Sequence, residues 1–292
     1  MILLLGTPVA KAIKDKCKLK IIDFQVKYNR LPQLAVILVG DNTSSQSYVK
    51  GKRKACDYVG IKHKDIFLKE DTSEKKLLTI IEELNLDDKV DGILVQLPLP
   101  PQISETKVND AIIPEKDVDG FNPVNVGSLL LGRKSLSPCT PRGILKMLDY
   151  YGITTEGKNV CIVGRSNLVG KPMASMLIQK DRNATVTICH THTRNLIEFT
   201  TKADILIIAV GKPSMFKKEM LKQNAVVIDV GITMVNDSSS IKGYAWKGDV
   251  DFEDVKEKCS AITPVPKGIG PMTIAVLMEN TLDAALNREE SK

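Results

Sequence analysis

Val160-Cys161-Ile162-Val163-Gly164-Arg165-Ser166-Asn167-Leu168-Val169-Gly170-Lys171-Pro172 is the stretch on which the fold turns. An unbroken apolar run enters a glycine, as a strand buried on both faces does, and Gly170 with Pro172 opens a helix. Gly164 permits the tight turn, and a helix N-terminus placed there attracts anions. Ser166 stands where a second glycine would complete the dinucleotide fingerprint, so an ordinary strand-to-helix turn and a cofactor turn both fit. Outward from this stretch, residues 159–163, 185–189, 204–210 and 225–230 read as strands with helices between them. Upstream, residues 34–39, 66–68 and 90–95 form an earlier series. It is separated by helices over 44–59, closed by Gly60, and over 73–84, opened by Ser73. Strands alternating with helices imply right-handed crossovers and parallel sheets, hence two α/β domains.

The segment between the two series differs. Pro98, Pro100, Pro101, Pro114, Pro123, Pro138 and Pro141 surround the acidic turn Asp117-Val118-Asp119-Gly120, which predicts a rigid, shaped loop region of the kind that carries function. A helix over 141–151 follows, closed by Gly152, and Asp251 caps a short helix reaching Lys258. Pro271 opens a final helix to about Asn287, apolar at Ile274, Leu277, Met278, Leu282 and Leu286, so one face must be buried.

Composition narrows the function classes. The 292 residues, 43% of them apolar, suffice for a large core and exclude a disordered chain. No apolar run approaches the ~18–20 residues of a membrane helix. Ile2-Leu3-Leu4-Leu5 is short for a secretion signal, and Lys11 and Lys14 follow it rather than precede it. Six scattered cysteines without a Cys-x-x-Cys pair argue against a disulfide framework and against a metal site. The expectation is a soluble cytoplasmic protein with reduced thiols. A net charge of +6 is mild, and the densest basic cluster, Lys50, Lys52, Arg53 and Lys54, lacks interleaved aromatics. An anionic small molecule fits that cluster better than nucleic acid.

Two constellations carry chemistry. A dinucleotide without a 2′-phosphate usually meets an acid at the end of the second strand. Here that end reads Cys189-His190-Thr191-His192-Thr193-Arg194, with no acid; these groups and Arg165 suit the extra phosphate of NADP. Neither histidine has metal-ligand spacing around it. In the first series, Tyr48 and Lys52 lie one helical turn apart on one face. Such a pair is either an acid/base couple or a surface lysine over a core aromatic. In short-chain dehydrogenases a similar pair follows the cofactor turn, whereas here it lies far upstream, which argues against that assignment. Gln96 follows a strand at its carboxyl end, where open α/β sheets place ligands, and Asp119 sits in a turn that presents a carboxylate.

Together these residues resemble the bifunctional methylenetetrahydrofolate dehydrogenase/methenyltetrahydrofolate cyclohydrolase family. The resemblance spans nearly the whole chain. It rests on Ser47-Tyr48 with Lys52 through Cys56, Gly92 through Pro100, Asp117 through Phe121 with Asn125-Val126-Gly127, Pro138 through Gly143, Gly164 through Asn167, and Thr263 through Pro266 with Gly270 through Thr273. It implies a folate- and NADP-using homodimer joined through its cofactor domain. The fold it implies is a folate domain of residues 1–138 plus 270–292, a Rossmann-like, doubly wound, mainly parallel domain of residues 139–269, and an active site in the cleft between them.

The resemblance also implies roles. Lys52, Tyr48 and Gln96 would be the catalytic residues, Gln96 beside the lysine and Tyr48 also stacking on the folate; Asp119 would hydrogen-bond the pterin, with Gly270 and Pro271 near the substrate. Gly164, Arg165, Ser166, Thr191, Gly231 and Ile232 would line the NADP site, Arg165 and Thr191 at its 2′-phosphate. One departure is Lys267, where the family's loop carries glycine; a positive φ there would strain a lysine.

Overall fold

The computed structural model describes residues 1–237, 240 and 243–291. In chain order the elements are β1 (Ile2–Leu3), α1 (Gly6–Tyr28), β2 (Gln33–Val39), α2 (Thr43–Val59), β3 (Lys62–Leu68), α3 (Glu74–Leu86), β4 (Gly92–Val95), α4 (Glu105–Ala111), α5 (Pro123–Leu130), α6 (Cys139–Tyr150) and β5 (Asn159–Val163). They continue as α7 (Gly170–Leu177), β6 (Thr185–Cys189), α8 (Leu196–Thr200), β7 (Ile205–Ile208), β8 (Ala225–Asp229), β9 (Thr233–Asn236), β10 (Tyr244–Lys247), α9 (Phe252–Val255), β11 (Cys259–Ile262) and α10 (Ile269–Glu290). The chain clusters into two compact units: Ala10–Cys139 with Ile274–Lys292, and Met1–Val9 with Thr140–Thr273. No helix among the described residues is long and apolar enough to cross a membrane.

In the unit containing Ala10–Cys139, β2 pairs in parallel with β3 on one side and β4 on the other. β2 is buried along almost its whole length because helices cover both faces of the sheet. On one face Val36, Leu38 and Leu94 pack with Phe24 of α1, Val49 and Val59 of α2, and Leu277 and Leu282 of α10. On the other, Ile37 and Ile93 pack with Leu77 and Ile81 of α3. Helix α2 is closed at both ends by its sequence. Asn42 accepts the Ser45 N–H at 3.0 Å, and Gly60 takes the left-handed conformation with φ 90°.

The proline-rich segment is more ordered than its composition suggests. α4 is capped by Ser104, whereas Pro123 occupies the first turn of α5 behind its cap Asn122. Proline count alone signals a loop, but a proline directly after an Asn cap starts a helix.

The other unit carries a six-stranded sheet in the order β1-β11-β8-β7-β5-β6, with every adjacent pair parallel. The chain runs outward from β5 to β6, then returns to the far side of β5 to lay down β7 and β8. This reversal is the doubly wound pattern, and it opens a crevice beyond the carboxyl ends of β5 and β7. Met1–Val9 belongs with this sheet, not with the residues that follow it in the chain, because β1 adds in parallel to β11. A two-residue strand with no strand before it leaves too little pattern to read from sequence. The division near the other terminus falls at Thr273, within α10, rather than at residue 270.

Asp91, fully buried, ties one end of the three-stranded sheet. Both its oxygens take hydrogen bonds from the Arg30 guanidinium at 2.8 Å, the Gln33 N–H adds a third at 2.9 Å, and Arg288 of α10 a fourth at 2.9 Å. Removing one partner of such a network leaves the others uncompensated. Asp91→Ala should cost about 3 kcal/mol in urea unfolding, and a loss below about 1 kcal/mol would show that the arginines reach water instead.

Candidate active site

Of the residues expected to act together in the first series, the structure brings Lys52 against Gln96, with Asp119 in electrostatic reach of the lysine. α2 places Lys52 one turn after Tyr48, and the lysine side chain is 9% exposed. Its Nζ donates to Gln96 Oε1 at 2.8 Å. Gln96 stands just beyond β4, at the reversal point of the β3-β2-β4 order, and its backbone N–H is held by the Ile37 carbonyl at 2.8 Å. The Gln96 amide has one workable orientation: Nε2 donates to the Leu97 carbonyl at 2.7 Å, which turns Oε1 toward the lysine.

The electrostatics follow from burial. Loss of solvent pushes the Lys52 ammonium below the usual lysine range, while the nearby Asp119 carboxylate pulls it back up. The same burial raises Asp119, opposed by Lys52 and by a hydrogen bond from Cys139. An amine held against a neutral amide oxygen keeps a lone pair that can take a proton, so this pair suits acid/base work on a polar substrate. Tyr48 is 37% exposed, leaving its ring able to meet a planar ligand.

Asp119 is held by residues to which the sequence reading gave no role of their own. The Asp117 carboxylate accepts the N–H groups of Gly120 at 3.0 Å and Asn122 at 2.7 Å and the Asn125 amide at 3.0 Å, folding the turn around itself. Burial pushes Asp117 up to about 6 against those stabilising contacts. From α10, Asn280 Nδ2 donates to the Val118 carbonyl at 2.8 Å and the Ser137 carbonyl at 2.9 Å, locking the peptide just before Asp119. The available signal was an asparagine inside an otherwise apolar helix face, since a buried amide must be hydrogen-bonded.

The other unit gathers the second set at the carboxyl end of its sheet. Gly164 has φ 131°, and a Cβ there would lie 2.4 Å from the Ala209 carbonyl oxygen; a Cβ on Gly170 would lie 2.0 Å from the Gly164 oxygen. The turn between β5 and α7 is therefore packed backbone on backbone, leaving α7 close behind it. Ser166 Oγ accepts the Val169 N–H at 3.1 Å, and Arg165 is exposed beside the turn. At the end of β6, His190 and Thr193 close a loop through the His190 N–H to Thr193 Oγ1 at 2.8 Å, with Thr191 exposed on it. His190 Nδ1 accepts the His192 N–H at 3.1 Å, so its Nε2 carries the proton in the neutral ring. Desolvation, then Arg165, then His192 lower the His190 pKa.

Gly231 is buried and Ile232 exposed just beyond β8. The Asp229 carboxyl, packed behind them and raised to about 7 by burial, was not singled out from sequence, although an acid at the end of an apolar strand is a visible anomaly. Gly270 and Pro271 begin α10 among the residues that cluster with this sheet, not with Lys52. Lys267, just before them, does adopt φ 84°, and its carbonyl accepts the Gly6 N–H at 2.8 Å. Among the described residues no group of His, Cys, Asp and Glu could hold a metal ion.

Lys52 should titrate below the exposed lysines when its side chain is followed by NMR. Asp119→Asn removes the charge that favours the ammonium form, so it should drive that midpoint lower still. A Lys52 titration coincident with the exposed lysines would contradict this account.

The family models and the relatives of high identity point to one family. Tetrahydrofolate dehydrogenase/cyclohydrolase, catalytic domain, matches residues 4–119, and the NAD(P)-binding domain of the same family matches residues 138–289. The bifunctional protein FolD of Sulfurihydrogenibium sp. is 53% identical over 284 residues, covering 97% of each chain. The structure of bifunctional FolD from Campylobacter jejuni superposes with a TM-score of 0.92 at 48% identity, covering 99% of each chain. FolD from Trypanosoma brucei, solved with NADP cofactor and an inhibitor, gives 0.93 at 35% identity, covering 99% of this chain and 98% of its own. With both of its domains matched in order and half its residues shared with a full-length relative, this chain belongs to the tetrahydrofolate dehydrogenase/cyclohydrolase family.

Proposed function

We propose that the chain oxidises 5,10-methylenetetrahydrofolate to the 5,10-methenyl form with NADP+ and then hydrolyses that product to 10-formyltetrahydrofolate. The observation that carries this reading is the buried Lys52 Nζ, 2.8 Å from Gln96 Oε1 and within the electrostatic reach of Asp119. The family membership and the NADP held by the Trypanosoma brucei relative support the cofactor.

The residues divide the work. Tyr48 offers its ring to the pterin and p-aminobenzoyl planes, and Asp119 accepts hydrogen bonds from the pterin N–H groups. The bound NADP+ supplies a hydride acceptor; the chain's task in that step is positioning, because the folate nitrogen lone pair assists hydride departure. In the hydrolytic step, neutral Lys52 takes a proton as water attacks the methenyl carbon. The resulting ammonium returns a proton to the ring nitrogen as its carbon–nitrogen bond breaks, and the hydroxyl left by the attacking water releases its remaining proton to solvent as the formyl carbonyl forms. Gln96 keeps the lysine aimed and, being uncharged, leaves its pKa low.

Toward NADP, the packed turn at Gly164 brings backbone and the exposed Arg165 to the β5 end. The β6 end offers Thr191 in place of an acid, which suits a 2′-phosphate. Ser166, Gly231 and Ile232 complete that side, with Gly270 and Pro271 assigned to the folate. We assign residues 139–269 to the cofactor and the rest of the chain mainly to folate. A homodimer through the cofactor unit is supported by β6, an edge strand carrying the exposed Ile188. Six free, buried cysteines suit a reducing cytoplasm.

Lys52→Met keeps the apolar stem and removes the amine. It should reduce methenyltetrahydrofolate hydrolysis by ~10²–10⁴-fold, with NADP+-dependent methenyl formation reduced less. Hydrolysis at the parent rate would remove Lys52 from the mechanism. Arg165→Ala should weaken NADP+ binding by about 1.5–3 kcal/mol while leaving NAD+ nearly unaffected. Equal kcat/KM for the two cofactors in the parent enzyme would refute the 2′-phosphate assignment.

A further inference from the structure

Two acids behind the cofactor crevice have no part in the chemistry above. Asp249 is fully buried and Asp229 nearly so. Asp249 Oδ2 accepts the N–H groups of Val210 at 2.7 Å and Gly211 at 3.0 Å, the second and third residues beyond β7. Asp229 Oδ1 accepts the N–H groups of Gly231 at 3.0 Å and Asp249 at 3.0 Å, and its Oδ2 accepts that of Val250 at 2.9 Å. Each carboxylate is seated on a glycine of the other's segment. A Cβ on Gly231 would lie 2.3 Å from the Asp249 carboxyl carbon, and one on Gly248 would lie 1.9 Å from Asp229 Oδ2. The segment beyond Gly211 is tied to the same place, with the Ser214 N–H on the Gly248 carbonyl and the Phe216 N–H on the Asp249 carbonyl.

This arrangement is costly. Two carboxylates are buried on adjoining backbone, and Asp249 Oδ1 has no hydrogen-bond partner among the described residues. A neutral asparagine could cap Val210 and Gly211 without placing a second acid beside Asp229. What the acids accomplish is to fix, from behind, backbone at the ends of β7 and β8, where a doubly wound sheet receives its ligand. We infer that Asp249 and Asp229 are positioning residues for the nicotinamide cofactor, holding the Val210, Gly211 and Gly231 peptides in the conformation that receives it. This rests on the NADP reading given above.

The test uses the whole 292-residue chain and calorimetric titration with NADP+ and NAD+. Failure of the parent to bind NADP+ would overturn the cofactor reading and this inference with it. Given parent binding, Asp249→Ala should raise both dissociation constants by a similar factor of about tenfold or more, since two hydrogen bonds to a charged acceptor are lost. Asp249→Asn should stay within about threefold, because one amide oxygen can still accept from both N–H groups. Arg165→Ala, in contrast, should affect NADP+ alone. Parent affinity in Asp249→Ala, or equal damage in Asp249→Ala and Asp249→Asn, would overturn the inference.

Should Asp249→Ala fail to fold, amide hydrogen exchange on the parent decides. Exchange at Gly211 and Gly231 should slow when NADP+ saturates the protein. Unchanged exchange at both would overturn the assignment.

Discussion

A lysine amine buried against an amide oxygen is the constraint around which the first unit is arranged. An ammonium in that position would ordinarily be given a carboxylate at contact distance, which would hold it charged. Here the contact partner of Lys52 is Gln96, at 2.8 Å, and the neighbouring acid, Asp119, opposes the lowering caused by burial without cancelling it. The amine is thereby left able to cycle between its two protonation states. That balance requires Gln96 to present oxygen rather than nitrogen, and the Leu97 carbonyl enforces it by occupying Nε2. It also requires Asp119 to stay put, which Asp117 and Asn280 arrange through the backbone on either side of it. Four segments distant in sequence, α2, the loop beyond β4, the turn between α4 and α5, and α10, are therefore needed to set one proton affinity.

The two sheets use the same topological device. In β3-β2-β4 the chain reverses at β2, and in the six-stranded sheet it reverses at β5. In each case the loops beyond the carboxyl ends of the reversing strands separate, because their helices go to opposite faces. Gln96 stands at the first reversal and Gly164 at the second. Placing chemistry at these points requires only strands whose carboxyl ends lie close together. Val163 pairs with Ile208 at the very ends of β5 and β7, and β4 ends where Val95 pairs with Ile37, two residues before β2 ends.

Much of this was legible because parallel α/β folds write themselves in apolar runs. Residues 159–163 and 185–189 are strands as expected, and Tyr48, Lys52, Gln96 and Asp119 lie in one unit. What escaped has identifiable causes. α1 exposes Leu19, Ile22 and Val26 among its lysines, which blurs the amphipathic stripe from which a helix is read. β9 and β10 form a two-stranded antiparallel ribbon outside the main sheet, with alternating rather than continuous burial in β9. β1 is recognisable only through its pairing with β11, since a short parallel pair leaves no turn between its members to mark it. The supporting residues Asp117, Asn280, Asp229 and Asp249 were missed because their partners are mostly backbone groups. A sequence gives no sign of which peptide N–H or carbonyl a side chain will meet.

Lys267 shows how far such local rules bend. A lysine at φ 84° carries a Cβ strain of order 1 kcal/mol that glycine would avoid, yet the loop keeps its shape. The reason lies in what surrounds it. The Lys267 carbonyl is committed to the Gly6 N–H, and a Cβ on Gly6 would collide with the Gly268 oxygen at 1.9 Å, so the backbone on both sides is already fixed by close contact. A relaxed φ would break that contact and leave the buried Gly6 N–H without its acceptor, a cost of about 1–3 kcal/mol that equals or exceeds the strain. Packing of backbone on backbone thus overrides residue preference in this loop, and the turn at Gly164, where the glycines remain, is held by the same kind of contact.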